Sequence, residues 1–195
     1  MARPQLSAQS RVIVENDDDV ALIERCRNGD RAAFTELVIR YQRPVYNAAF
    51  WILRKPEDAN DVAQTVFLKV VEQLDDYDPR YRFFSWIYRI AVNESLNLLR
   101  RNGHEEALDD DVEFADRESA NPEWQFDAKE RAERVRKALF EVSTNDRTVL
   151  MLRHFGELSY DEIAHVLDID SKTVKSRLFD ARHRLCEHLK ALRTL

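Results

Sequence analysis

The chain has 195 residues, enough for one large domain or two small ones. Apolar residues make up 44% and charged residues 34%, so it can build a core and stay soluble, while 3 Gly and 5 Pro are too few for many short strands joined by turns. The formal net charge of −6 speaks against a nucleic-acid partner if read as a single number. Its distribution speaks for one. Residues 80–101 carry five arginines against one acid, Glu94, and residues 171–195 carry seven Lys/Arg against Asp180 and Glu187. Between them, residues 102–127 hold ten acids and one base, Arg117. Two basic segments therefore flank an acidic one. Cys26 and Cys186 suggest no disulfide framework, which fits a reducing cytoplasm. The longest apolar run, Ala48 to Leu53, is far short of a membrane span, so no membrane insertion is expected.

Residues 1–18 read as a flexible tail without the apolar core of a signal peptide. Apolar positions then recur at helical spacing. A helix over 19–28 stops at Gly29, and Asp30 can cap the next, which runs to about Leu53 with Pro44 expected to kink or divide it. Pro56 opens a helix to about Leu74. A polar loop at 75–82 precedes a helix from Phe83 to about Arg101. Residues 102–122 lose periodicity and read as a flexible acidic linker. Helical pattern resumes at about 123–142, 146–155, 159–167 and 171–192. The expected fold is all-α, with two helical domains at 19–101 and 123–195 joined by the linker.

Ser159-Tyr-Asp-Glu162 has the spacing of a capping box. The short helix it opens, the turn at Asp168-Ile169-Asp170 and the long helix after it form a helix-turn-helix. Ile163, Ala164, Leu167 and Ile169 are expected to pack on Val174 and Leu178. At about 100° per residue, Val174, Leu178, Ala181, Leu185, Leu189 and Leu192 form one stripe of the last helix. Lys172, Ser176, Phe179 and His183 lie opposite, with Lys175 and Arg182 on one flank and Arg177 and Arg184 on the other. An aromatic ring on a cationic face can touch base edges or a thymine methyl while the cations hold phosphates. The alternative is a solvated basic face with one stray aromatic.

Residues 77–89 crowd six aromatics among Arg80, Arg82 and Arg89. Phe84, Ile87, Ala91 and Leu98 share a core face, and Trp86, Arg89, Asn93, Asn97 and Arg100 share the opposite one. An exposed Trp among Arg and Asn suits the stacking of unpaired bases, and the loop before it could receive an extruded base. The alternative is that Trp86 and the tyrosines pack against neighbouring helices. On the 56–74 helix, Ala59, Ala63, Val66, Phe67, Val70 and Leu74 face inward. Asp58, Asp61, Thr65, Leu68 and Glu72 form an acidic outer strip suited to a basic partner.

Three motifs stand in order: Asp58-Ala-Asn-Asp-Val-Ala-Gln-Thr-Val-Phe-Leu-Lys69, Phe84-Ser-Trp-Ile-Tyr-Arg-Ile-Ala-Val-Asn93, and Leu158-Ser-Tyr-Asp-Glu-Ile-Ala164 with Thr173-Val-Lys-Ser-Arg177. Together they resemble the extracytoplasmic-function (ECF) sigma factors of bacterial RNA polymerase. The resemblance implies that the first domain is sigma region 2 and the second sigma region 4. It implies that Asp58, Asp61, Thr65, Leu68 and Glu72 dock on the clamp helices of RNA polymerase core. Tyr77, Arg80, Tyr81, Arg82, Trp86, Arg89, Asn93 and Asn97 would open and read the minus-ten element as single strand. Lys172, Thr173, Lys175, Ser176, Arg177, Phe179 and Arg182 would read the minus-thirty-five duplex, with contact to the polymerase flap, and the linker would thread the RNA exit path. An anti-sigma factor is a further partner the resemblance allows.

Two positions depart from the family's acidic pattern: Asn60 and Thr65 stand where glutamates are usual, so the docking strip has lost charge. Some members are switched on by a Ser/Thr kinase acting in this helix. A phosphate on Thr65 would restore about −1.5 to −2 charges, which makes it a candidate regulatory phosphosite. The alternative is a threonine tolerated on a weaker interface. Lys172 also replaces a residue usually small. A helix-turn-helix regulator working without polymerase would explain only the last domain. An enzyme is disfavoured: no H-E-x-x-H, G-x-S-x-G or P-loop occurs, and His183 with Cys186 gives two ligands where zinc needs four. No catalytic residue, cofactor or metal is expected.

Overall fold

The computed structural model describes residues 16–102 and 122–192. The expected tail and acidic linker lie, apart from their edges, outside the described residues. Among those described, eight α-helices make up the regular structure, with one short 3₁₀ turn.

The first four helices form one half. α1 (Asn16–Arg27) ends in a turn where Gly29 adopts φ +82°, a backbone that favours glycine. The Asp30 carboxylate then accepts from the amides of Ala32 and Ala33 and starts α2 (Arg31–Leu53). Pro44 lies inside this helix, and of the expected kink or division the division does not occur. An interior proline costs a helix about 3 kcal/mol. Tyr41, Val45, Ala48 and Ala49 are nevertheless buried on both sides of it, against α3 and α4, and this packing outweighs the lost bond. Arg54 closes α2 in the left-handed conformation, and Pro56 sits in the first turn of α3 (Pro56–Gln73). The 3₁₀ turn Leu74–Asp76 leads through a loop to α4 (Phe83–Arg101).

The loop before α4 is held from below. The Arg27 guanidinium donates to the carbonyls of Leu74 at 2.8 Å and Tyr77 at 3.0 Å. Asp19, buried in α1, takes Arg40 at 2.7 Å and the Tyr41 hydroxyl. A buried carboxylate needs such partners to stay charged. Burial, and after it the bond to Asp19, push the Tyr41 phenol far above its usual range.

The second half holds α5 (Pro122–Glu141), α6 (Thr144–His154), α7 (Tyr160–Leu167) and α8 (Ser171–Ala191). Ser143 caps α6 by accepting from the Asp146 amide. α6 and α7 pack on α8, and α5 also lies along it. Val149, Leu150, Leu152, Leu158, Ile163, Val166, Val174, Leu178 and Ala181 form the core.

The halves meet along two seams, α2 with α6 and α4 with α7. At the first, Trp51 at the end of α2 lies 5.2 Å from the Phe140 ring and 5.9 Å from Phe155. Arg147 is 3% exposed there and faces carbonyls alone in its hydrogen bonds to backbone: Trp51 of the first half at 2.5 Å, and Leu139, Phe140 and Val142 of the second at 3.3–3.4 Å. These carbonyls belong to the final turns of two helices or lie just past them, where acceptors lack intrahelical donors and the macrodipole is negative. One buried cation therefore satisfies a helix end from each half.

Candidate nucleic-acid interfaces

The helix-turn-helix forms as its residues require. The Ser159 hydroxyl accepts from the Glu162 amide at 3.2 Å, and the Ser159 amide donates to the Glu162 carboxylate at 2.8 Å, completing the capping box. Asp168 takes φ +53° to end α7, and the Ile169 amide donates to the Ala164 carbonyl. Asp170 caps α8 from the Thr173 amide at 2.7 Å and also accepts from the Thr173 hydroxyl at 2.6 Å. The Ser171 hydroxyl bonds Asp161, tying the start of α8 to α7. These contacts fix the angle of α8.

α8 buries Val174, Leu178 and Ala181 and half-buries Leu185, Leu189 and Leu192. Lys172, Lys175, Ser176, Arg177, Phe179 and Arg182 are exposed on its free surface, and Thr173, engaged with Asp170, is half-buried. Phe179 is 73% exposed, the largest value among the exposed large apolar residues described. Arg184 leaves this group: it pairs with the buried Asp146 of α6 at 2.6 Å and spans two helices of the core. The ring of Phe179 with Lys172, Lys175, Arg177 and Arg182 thus forms an open cationic face that no other part of the described chain covers.

The aromatic segment is different. Tyr77 is only 4% exposed: its ring packs edge-on against Phe83 at 5.4 Å, and its hydroxyl donates to the Tyr81 carbonyl at 2.7 Å. Trp86 is half-buried against Tyr77 at 5.6 Å and Phe83 at 5.4 Å. Trp86 was expected to face outward, and Tyr77 to contact the minus-ten strand. The apolar area of Phe83 draws them in, and for these two the packing alternative holds. Arg80 is exposed, and its side chain returns to Asp78, whose carboxyl is held below the usual range first by that bond. Tyr81, Arg82 and Arg89 do face outward from α4 and its loop, yet α7 lies against them. The Tyr81 ring stacks on His165 at 4.4 Å with planes 6° apart. Arg89 reaches His165 Nε2 at 3.4 Å. Arg82 lies 3.5 Å from the Glu162 carboxylate, which also accepts from the Ser85 hydroxyl at 2.8 Å. Asn93 is exposed, and Asn97 is half-buried and accepts from Arg100 at 2.6 Å.

On α3, Ala59, Val66 and Val70 are buried, with Ala63 and Phe67 packed behind them and Leu74 buried just past the end. Asp61, Leu68 and Glu72 are exposed, and Asp58 and Thr65 half-exposed. The Thr65 hydroxyl donates to the Asp61 carbonyl at 2.9 Å. Leu68 is 66% exposed, and Val71, absent from the expected strip, is exposed beside it. This alternation of acidic and apolar groups, without side-chain partners among the described residues, is the kind of surface that suits contact with a basic one.

The sequence reading missed Glu162 and His165 as partners of Arg82 and Arg89, and Ser85 as a donor to Glu162. No periodicity marks a contact between segments 76 or 77 residues apart. Arg147 was also missed, although an arginine amid the apolar Val149, Leu150 and Leu152 is a usable signal of a buried tie.

Comparison with known proteins bears on these surfaces. Residues 37–105 match the sigma-70 region 2 family and residues 132–185 the sigma-70 region 4 family. The RNA polymerase sigma-H factor of Pseudomonas aeruginosa is 32% identical over 189 residues, covering 92% of this chain and 98% of its own. The ECF RNA polymerase sigma-E factor of Escherichia coli K12 is 34% identical over 176 residues, covering 86% and 92%. Among solved structures, CnrH in complex with the cytosolic domain of CnrY superposes with a TM-score of 0.66 at 28% identity, over 89% of this chain and 97% of that one.

Proposed function

The chain belongs to the extracytoplasmic-function sigma factors of bacterial RNA polymerase, and from that premise we propose how its surfaces divide the work. It is an alternative sigma factor: it binds RNA polymerase core, directs it to promoters for transcription initiation, and has no catalysis of its own.

Asp58, Asp61, Thr65, Leu68 and Glu72 dock on the clamp helices, with Val71 extending the apolar part. Lys172, Thr173, Lys175, Ser176, Arg177, Phe179 and Arg182 read the minus-thirty-five duplex. Here Thr173 acts from its capping bond and Phe179 lies on the bases while the cations neutralise phosphates. Arg80, Tyr81, Arg82, Trp86, Arg89, Asn93 and Asn97 receive the minus-ten strand, with Tyr77 serving from the core by holding the Tyr81 carbonyl. The observation that carries this reading is the uncovered Phe179 amid cations on the second helix of a fully capped helix-turn-helix. An exposed aromatic of that size has no folding role. The chain works where polymerase works, in the cytoplasm. Among the described residues no helix is long and apolar enough to cross a membrane. An anti-sigma factor is a further partner, as CnrH is solved with a bound cytosolic domain of CnrY.

Thr65 is the regulatory position on the docking strip, phosphorylated by a Ser/Thr kinase. Its hydroxyl lies one turn from both Asp61 and Leu68, where a phosphate adds about −1.5 to −2 charges facing a basic partner. Co-purification with core polymerase tests both ideas. Leu68→Asp should abolish retention while leaving the helical fold intact, and Thr65→Glu should be retained more strongly than Thr65→Ala. Equal retention of the two Thr65 variants would remove the kinase proposal. Full retention of Leu68→Asp would remove the docking face.

A further inference from the structure

The polymerase face on α3 and the duplex-reading face on α8 are both open, whereas the single-strand face of α4 and its loop is covered in part by α7 of the same chain. The cover is polar and specific. Glu162 takes Ser85 and faces Arg82. His165 lies flat on Tyr81 with Arg89 at its Nε2. Three of the groups assigned to the minus-ten strand, Tyr81, Arg82 and Arg89, are thus occupied by one carboxylate and one imidazole. The two supply the chemistry a nucleotide would bring, an anion for the guanidinium and a flat ring for the aromatic.

We propose that His165 is an acid-sensitive latch: the neutral ring holds the first helix of the helix-turn-helix over the single-strand face, and the protonated ring lets it go. The proposal rests on the minus-ten reading of that face. Neutral imidazole can accept from Arg89 through Nε2 when its proton sits on Nδ1, whereas imidazolium has no acceptor and places a second cation beside the guanidinium. The groups facing the ring are Arg89 of α4, Tyr81 and Asp78 of the loop, and Asp168 at the end of its own helix, with Glu162 one turn earlier. Burial, then Arg89, hold the ring below its ordinary value of 6.5, against the opposing pull of Asp168 and Asp78. The sign follows. A base whose value is lowered on closing binds its proton more readily when open, so the latch is at full strength above 6.5 and weakens as pH falls below it. The capping box that Glu162 forms with Ser159 lies within α7 and survives opening. Opening therefore leaves α7 wound and moves it together with α8, to which the Ser171–Asp161 bond ties it.

The test uses the full chain in two measurements. Small-angle scattering reads the separation of the halves, and anisotropy of a fluorescein-labelled single-stranded 12-mer pool of random sequence reads access to the face. His165→Lys fixes the cation and suits the last turn of a helix. His165→Gln keeps a neutral side chain. We expect His165→Lys to have a larger radius of gyration at pH 7.5 and to bind the pool about tenfold tighter than wild type, as when a closed fraction stops taxing affinity. Wild type should expand between pH 7.5 and 5.5, and His165→Gln should stay compact. Equal compactness of His165→Lys and wild type would overturn the latch, and so would equal expansion of wild type and His165→Gln in acid. Arg89→Ala in the His165→Lys background separates the two readings. If the open chain gains no binding, or gains binding that ignores Arg89, the minus-ten assignment has failed and with it the masking role, whatever the scattering shows.

Discussion

The two surfaces proposed to meet DNA are made differently. On α8 the residues proposed to read the duplex have almost no structural duty: Val174, Leu178 and Ala181 bury one side, and Phe179 with its cations occupies the other. On α4 and its loop, the proposed reading and the folding share side chains. Trp86 contacts Tyr77 and Phe83, Tyr77 holds the Tyr81 carbonyl, and Arg27 holds the loop from beneath. A rigid duplex can be met by a preformed helix face. An unpaired base needs a shaped pocket, and shaping one draws aromatics into the core. Substitutions should therefore separate binding from stability on α8 and fail to separate them on α4.

The largest effect is expected at the seam that keeps the two surfaces in one body. Arg147→Ala leaves helix-end carbonyls of both halves without their donor, and should lower the unfolding free energy by about 3 kcal/mol in urea titration. Next, Trp86→Ala should cost about 2 kcal/mol in the same titration, since a half-buried ring leaves a partial cavity. A loss under about 0.5 kcal/mol would break the contrast, because Trp86 would then be a free reading residue like Phe179. Ser159→Ala removes half of the capping box and should cost about 1 kcal/mol, read by thermal melting. The smallest stability change belongs to Phe179→Ala, within about 0.5 kcal/mol of wild type. The same variant should weaken binding of a minus-thirty-five duplex by polymerase holoenzyme about tenfold in a filter assay. A stable variant that bound normally would show the exposed ring to be incidental.

Much of this was legible beforehand because the signals are local. Ser159 and Glu162 lie three residues apart, Asp30 stands before apolar periodicity, and Pro56 stands in a first turn, and each did what that position dictates. The inward face of α3 likewise followed from the helical period. The division allowed for at Pro44 does not occur, because the proline's cost is local, whereas the burial of Tyr41, Val45, Ala48 and Ala49 that outweighs it is tertiary. Trp86 was placed outside because a helical wheel gives direction but not depth, and Phe83 supplies an apolar wall on which it and Tyr77 close.

By itself, then, the sequence determined the helices, their caps, the division into two halves and the open cationic face of α8, since all of these depend on residues within a few positions of one another. Only the tertiary structure decided that Arg147 joins the ends of two helices from different halves, that Arg184 serves Asp146, and that Glu162 and His165 cover Arg82, Tyr81 and Arg89. Each is a meeting of charges or rings distant in the chain, and it exists only because packing brings their helices to one place.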